Sequence, residues 1–304
     1  MQIVFAQGIC RVAVPVFFFI SGYLFYNGLK SWDWNVYRTK LKSRIYSLVI
    51  PYCIWNVVGW LLYCFKNYFV DGVSNIWTSY SFWEIIWSNS EGWPFVVPLW
   101  FVRDLIVVVV FAYFIFCVVR YLKFGGIILM CLLHIANIWI PLPGFSSVSI
   151  LFFACGCYFQ IFEKEPLIVP KPLAWISFIV FISMLLLIIL CWNRVSINGY
   201  LHATLTIVGT ILTFKLVSMI ETIKHRKLYE MLAGASFFVF ATHEIYILNI
   251  SRIVINKLLP YDSQFIIVIR YFGYAILTYI LCIFLYKLLN RLAPRLTMVL
   301  VGKR

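Results

Sequence analysis

Charge is what this chain has least of. Asp, Glu, Lys and Arg make up 12% of its 304 residues, about half the roughly 25% of an average soluble domain, so a water-facing surface cannot be built from it. The acidic side is the poorer, with 11 residues against 25 basic ones. No glycine-rich phosphate loop, metal-ligand cluster or nucleophile elbow occurs, so no metal is called for and nucleotide-cradling or elbow-type catalysis is excluded. Internal repeats and low-complexity segments are lacking too, which argues against a transporter assembled from inverted repeats. Nor is any stretch between apolar runs long enough to carry a separate core, so residues 1–304 are expected to form a single membrane domain.

What is abundant is apolar surface. Hydrophobic residues make up 63% of the chain, and mean hydropathy is +0.94. A bilayer core about 30 Å thick takes about 20 apolar residues in helical form, because no water is there to satisfy an open backbone group. Runs of this kind are Val12 to Leu29, Ile45 to Phe65, Leu99 to Val119, Phe124 to Ile140, Val148 to Phe162, Leu173 to Trp192, Leu201 to Ile220, Leu232 to Ile250 and Phe265 to Leu289, the fourth and fifth being short. The expected fold is therefore all-α, a polytopic integral membrane helix bundle of about nine transmembrane helices.

A net charge of +14 and a pI near 9.4 would suit a nucleic-acid partner if the cations were gathered on one surface. They are instead sorted by loop. One side holds Lys30, Arg38, Lys40, Lys42 and Arg44, then Arg120 and Lys123, Lys164 and Lys171, Lys215, Lys224, Arg226 and Lys227, and finally Lys287, Arg291, Arg295, Lys303 and Arg304. The other side holds Lys66, Arg194, Arg252 and Lys257. Cytoplasmic loops carry the excess, which places the C-terminus in the cytoplasm of a multi-pass protein of the cell membrane and Met1 outside. Lipids, not nucleic acid, are the expected surroundings. The basic cluster follows the first apolar run, whereas a signal peptide carries its charge ahead of it; a further helix before Met1 is expected.

The nine cysteines lie in or beside apolar runs without metal-type spacing, as free thiols filling apolar space do. The Lys66 to Pro98 connection carries Trp77, Tyr80, Phe82, Trp83, Trp87, Trp93 and Phe95. It reads as an outer-interface anchor with a short helix around Phe82 to Ser88, or as an aromatic platform for sugar rings.

Ionisable groups within hydrocarbon cost several kcal/mol unless paired or hydrated, which singles out Arg103-Asp104 and His243-Glu244. The first pair lies about 6 to 8 Å below the outer end of its span. Neighbours on a helix diverge by about 100°, so each is expected to pair with another helix, as a structural lock or as part of a site. His243 lies about 16 Å above the inner end of its span, either as a general base near neutrality or as a packed histidine bonded to a carbonyl. His134 stands alone among apolar neighbours. Thr206, Thr210 and Thr213 form a stripe that joins helices or lines a polar cavity.

Four segments together resemble the acyltransferase family 3 membrane proteins. Val14-Pro15-Val16-Phe17-Phe18-Phe19-Ile20-Ser21-Gly22-Tyr23 is similar to that family's "VP-x-FFF-x-SGY" signature. Lys40-Leu41-Lys42-Ser43-Arg44 leading to Ile50-Pro51-Tyr52 and Trp55 resembles its basic motif, Pro98 to Leu105 its "LWFLRDL" segment, and Ser236 to Glu244 its "SFFIYATHE" segment.

The resemblance implies about ten spans and transfer of an acyl group, acetyl above all, from cytoplasmic acyl-CoA to a hydroxyl of a surface polysaccharide or lipid-linked sugar. It also implies an Arg and a His on a helix ahead of the signature, and this sequence begins after that point. Arg103, Asp104, His243 and Glu244 are the expected catalytic groups. Arg38, Lys40, Lys42 and Arg44 are the expected holders of the acyl-CoA phosphates, although plain positive-inside topology accounts for them as well. Ser21 and Trp100, in the matching motifs, are assigned to the substrate channel. The alternatives are a transporter or glycan exporter, and an inactive structural member of a glycan assembly complex; acyl-CoA turnover separates the first reading from both.

Overall fold

The apolar runs fold as helix, with no strand among the described residues. The structure, a computed structural model, describes residues 3–29, 31–73, 76–77, 79–166, 168–191, 195–220, 226–260 and 263–302. Met1, Lys30, Arg194, Lys224, Lys303 and Arg304, used in the charge count, lie outside the described residues. The helices are α1 (Ala13–Phe25), α2 (Trp34–Arg44), α3 (Ile50–Phe69), α4 (Phe82–Ile86), α5 (Trp100–Val110), α6 (Ala112–Ile135), α7 (Ser147–Ile161), α8 (Lys171–Leu190), α9 (Val195–Ile220), α10 (Arg226–Thr242), α11 (Leu248–Leu258), α12 (Gln264–Leu292) and α13 (Pro294–Leu300). By length and composition alone, six stretches among the described residues would reach across a bilayer: Trp34–Phe69, Ala112–Ile135, Lys171–Leu190, Asn198–Ile220, Gly234–Leu258 and Gln264–Leu292. Cys10–Phe25 and Ser147–Ile161 are shorter apolar helices. The protein is an all-α membrane helix bundle.

Three interruptions depart from the expected unbroken spans. Ala112–Ile135 is a hairpin: Lys123 has φ 50° and ψ −133°, and a Cβ on Gly126 would lie 3.6 Å from the Val118 carbonyl oxygen, a contact between residues two turns apart that a straight helix cannot make. The reversal falls where the third and fourth apolar runs meet. The third run, Leu99 to Val119, is itself kinked at Phe111 (φ −89°, ψ 11°), and the eighth is broken at Ile245 and Tyr246.

Two compact units are present, Met1–Lys40 with Val107–Lys224, and Leu41–Ile106 with His225–Arg304. In the first, two tyrosines account for the kink. Tyr37 Oη donates to the Val110 carbonyl at 2.7 Å and Tyr26 Oη to the Ala112 carbonyl at 2.7 Å, and hydroxyls inserted into a helical ladder bend it. Lys40 Nζ donates to the carbonyls of Phe25 and, at 2.7 Å, Asn27, so this lysine satisfies the open C-terminal end of α1. His134 joins three helices, with Nδ1 2.8 Å from Ser147 Oγ and Nε2 3.3 Å from Thr206 Oγ1. Thr206, Thr210 and Thr213 each donate to a carbonyl of their own helix, so of the stripe Thr206 alone is shown also reaching another helix. All nine cysteines are free.

The tightest contact in this unit is α1 against α7. A Cβ on Gly22 would overlap the Phe153 carbonyl oxygen, and one on Gly156 would overlap the Phe19 carbonyl oxygen and come 2.5 Å from Tyr23 N. Both obstacles are backbone, which no rotamer change can move aside. Gly22→Ala and Gly156→Ala are each expected to destabilise the protein by about 1 to 3 kcal/mol, as overpacking does, although helix propensity alone favours alanine by about 0.5 to 1 kcal/mol. Thermal unfolding of the detergent-solubilised protein checks the sign.

In the second unit a π-helical turn, Ile45–Val49, precedes α3, and Trp55 Nε1 donates to the Leu300 carbonyl at 2.9 Å, fastening α13 to α3. Thr242 Oγ1 reaches Cys282 Sγ at 3.5 Å, and Thr278 Oγ1 donates to Ser251 Oγ at 2.9 Å, so α12 is tied to both halves of the broken eighth span.

Candidate functional site

The outer connection of the second unit is built by local capping. Ser81 N and Oγ donate to Glu84 Oε2 at 2.8 and 2.7 Å while Glu84 N donates to Ser81 Oγ at 3.3 Å, a capping box that starts α4. Beyond α4 the chain turns on Asn89, whose Oδ1 accepts from the amides of Glu91 and Trp93. This turn aims the Trp87 and Gly92 carbonyls at Arg103, whose Nη1 donates to them at 2.8 and 2.9 Å. Arg103 Nη2 and Nε meet Asp104 Oδ1 at 3.2 and 3.3 Å, and the Trp87 ring lies 5.8 Å from the guanidinium carbon.

The expectation that Arg103 and Asp104 would each avoid the other is corrected here. The divergence of adjacent Cβ directions is overcome by the length of the arginine stem, which folds back so that its fork meets the short aspartate. Both side chains are buried, at 4% and 1% exposed, and a buried charge pair with its other donors on carbonyls is satisfied rather than orphaned.

Two residues unmarked by the sequence reading hold the next segment. Asn56, fully buried in α3, accepts from Val96 N at 2.9 Å and donates to the Tyr52 carbonyl at 2.9 Å. One turn on, a Cβ on Gly59 would stand 2.5 Å from Val96 Cγ2. The signal was an isolated Asn and Gly in an apolar run.

Opposite this segment lies the broken eighth span. His243–Ile247 forms a π-helical turn in which Ile245 has ψ 84° and Tyr246 φ 62°. A tyrosine in the left-handed region costs about 1 to 3 kcal/mol, and irregular backbone at membrane depth persists only where protein or a cavity covers it. A cavity is present: about 240 Å3, lined by Gly59, Tyr63, Phe95, Val96, Val97, Glu244, Ile245, Tyr246 and Asn249. Tyr63 and Phe95, with Tyr80 behind them, form an edge-to-face trio at 5.3 to 6.0 Å. The lining thus combines aromatic faces with a carboxylate, an amide and two phenols. At this volume, below the roughly 300 to 1,000 Å3 of drug-sized sites, the cleft suits one ring-sized group.

His243 itself is half-buried beside the cleft. Its Nδ1 lies 2.8 Å from the Phe240 carbonyl oxygen; a carbonyl can only accept, so Nδ1 carries a proton, which in the neutral ring leaves the Nε2 lone pair free. Phe240 packs edge-on against Phe101, ring centroids 4.3 Å apart, which brings together the helices bearing His243 and Arg103. Trp100 meets Trp93 of the outer turn at 6.1 Å.

Of the other expected residues, Lys42 is exposed and Arg44 half-buried on α2, while Ser21, Arg38 and Lys40 belong to the first unit.

A family model described as an acyltransferase domain matches residues 1–287. The chain belongs to acyltransferase family 3. All four motifs singled out above fall inside the match, which runs through both compact units. This acyltransferase is also similar to the succinoglycan biosynthesis protein ExoH of Rhizobium meliloti (strain 1021), 24% identical over 320 residues that cover 100% of this chain and 82% of the relative. No solved structure matches it. Membership makes the protein a multi-pass membrane enzyme that transfers acyl groups.

Two outcomes follow for the walls of the cleft. Asn56→Leu removes the acceptor for the Val96 amide and should cost about 1 to 3 kcal/mol; thermal unfolding and amide exchange at Val96 measure it. The bonds from Ser81 hold the Glu84 carboxyl below its ordinary value. A depressed folded pKa adds stability above the unfolded value, about 4.3, and loses it as pH falls through the folded one. Protection of the α4 amides should therefore fall on acidification below about pH 4.3 in the wild type and be insensitive to pH there in Glu84→Gln.

Proposed function

We propose that the enzyme moves an acyl group, acetyl in the simplest case, from cytoplasmic acyl-CoA to a hydroxyl of an extracytoplasmic polysaccharide or lipid-linked sugar. The observation that carries this reading is the cleft at the helix break: an acyltransferase with aromatic rings, a carboxylate and an amide around a ring-sized space has the lining that a sugar requires. The relative's name, a succinoglycan biosynthesis protein, supports a polysaccharide acceptor. The basic side of the chain, by its loop charges, faces the cytoplasm and with it the C-terminus.

In this mechanism the acceptor hydroxyl gives its proton to Nε2 of His243, which the Phe240 carbonyl keeps in the competent tautomer. The hydroxyl oxygen then bonds the thioester carbonyl carbon, and the carbon–sulfur bond breaks. Coenzyme A leaves as a thiolate that takes up a proton. Glu244 and Asn249 orient the sugar. Arg103, its fork held by Asp104 and two loop carbonyls, fixes the outer wall, and its positive charge favours the oxyanion. Arg38 and Lys42 are exposed cations on α2 that fit phosphate groups; Lys40 is occupied at the end of α1, which makes it a supporting residue.

The broken span is also what a transporter or exporter would show. Labelled acyl-CoA turnover in membranes containing the protein distinguishes the two, since transport consumes no thioester. His243→Ala is expected to lower the acylation rate by about 100- to 10,000-fold, the usual contribution of a general base, and Arg103→Ala to abolish acylation at normal expression. Acylation of the glycan by either variant at the wild-type rate would remove that residue from the mechanism.

A further inference from the structure

A group of aromatic side chains stands apart from the cleft, in the first unit at the start of α2. Trp32 and Trp34 lie 5.5 Å apart edge to face, Trp32 is 5.0 Å from Tyr113 and 4.9 Å from Tyr37, and Trp34 is 4.9 Å from Tyr113. The cluster is open on one side: Trp34 is 52% exposed. Within the cluster the Trp32 indole N–H is buried with no hydrogen-bond partner. Arg38 follows Trp34 by four residues, so the two share a face of α2, about 6 Å apart along its axis. The neighbouring acid Asp33 is engaged elsewhere, because its Oδ1 accepts from the amides of Asn35 and Val36 at the helix start.

We infer that this platform binds the nucleotide end of the acyl donor, with the purine stacked on Trp34 and its ribose phosphate on Arg38. An exposed indole and a guanidinium one turn away match the two halves of a nucleoside phosphate, a flat π system and an anion separated by a sugar. Plain interfacial anchoring explains an exposed tryptophan, but it does not explain the cation aligned with it on the same face of α2. The inference rests on the acyl-CoA reading above and adds to it a place for the part of the donor that does not react.

The test titrates the full chain in zwitterionic lipid nanodiscs, by calorimetry, with coenzyme A, adenosine 3′,5′-bisphosphate and pantetheine. The wild type should bind the first two and far more weakly the third. Trp34→Leu, apolar but without a π face, should weaken both nucleotides about tenfold, and Trp34→Phe should retain most of the affinity. Arg38→Gln should weaken the bisphosphate and flatten its salt dependence. Coenzyme A binding that Trp34→Leu leaves unchanged overturns the platform and leaves the donor reading standing; no coenzyme A binding to the wild type removes both. If Trp34→Leu fails to fold, unaltered bisphosphate binding by the surface variant Arg38→Gln overturns the proposal.

Discussion

In hydrocarbon a peptide group has no water to turn to, and that constraint organises this molecule. Wherever the helical ladder is interrupted, something has to stand in. At Phe111 the substitutes are the hydroxyls of Tyr26 and Tyr37; at the end of α1 it is the ammonium of Lys40. At Ile245 and Tyr246 the irregular backbone opens on a cleft. The first two interruptions are closed by side chains and serve the architecture. The third stays accessible, which is why the proposed acceptor site is put there and not at the kinks.

The cleft wall shows how a soluble-looking loop is made firm at a membrane surface. Segment 87–96 has little helix of its own, and its shape comes from polar groups placed on helices beneath it. Arg103 takes two of its carbonyls and Asn56 one of its amides. Both residues carry groups that would be costly in lipid, and both recover that cost by fastening main chain. A charged pair that looks like reaction chemistry in the sequence is thereby also a clasp.

Much of the architecture was legible because lipid imposes a coarse code, length and apolarity, that a single sequence displays. Helix covers each apolar run in some part, and the short helix near Phe82 was expected from the aromatic outer connection, while the Ser81–Glu84 capping box that starts it was not. What stayed hidden depended on side-chain reach or on partners distant in sequence. The Arg103–Asp104 bond required a stem that bends back, the kink at Phe111 is caused by tyrosines more than 70 positions away, and the cleft gathers residues from α3, the outer connection and the broken span. His243 and Glu244 were readable as candidates, whereas Asn56, Gly59, Tyr63, Tyr246 and Asn249 acquire meaning only when the chain is folded.

The crossing of α1 and α7 at Gly22 and Gly156 is specified by atoms that are missing. Such a joint depends on two positions staying bare and on the aromatic rings packed beside them, and makes no demand on the outward faces of the two helices. Its closest approaches are to backbone, which no rotamer change can ease, so the pair is expected to move as one strut rather than as a hinge.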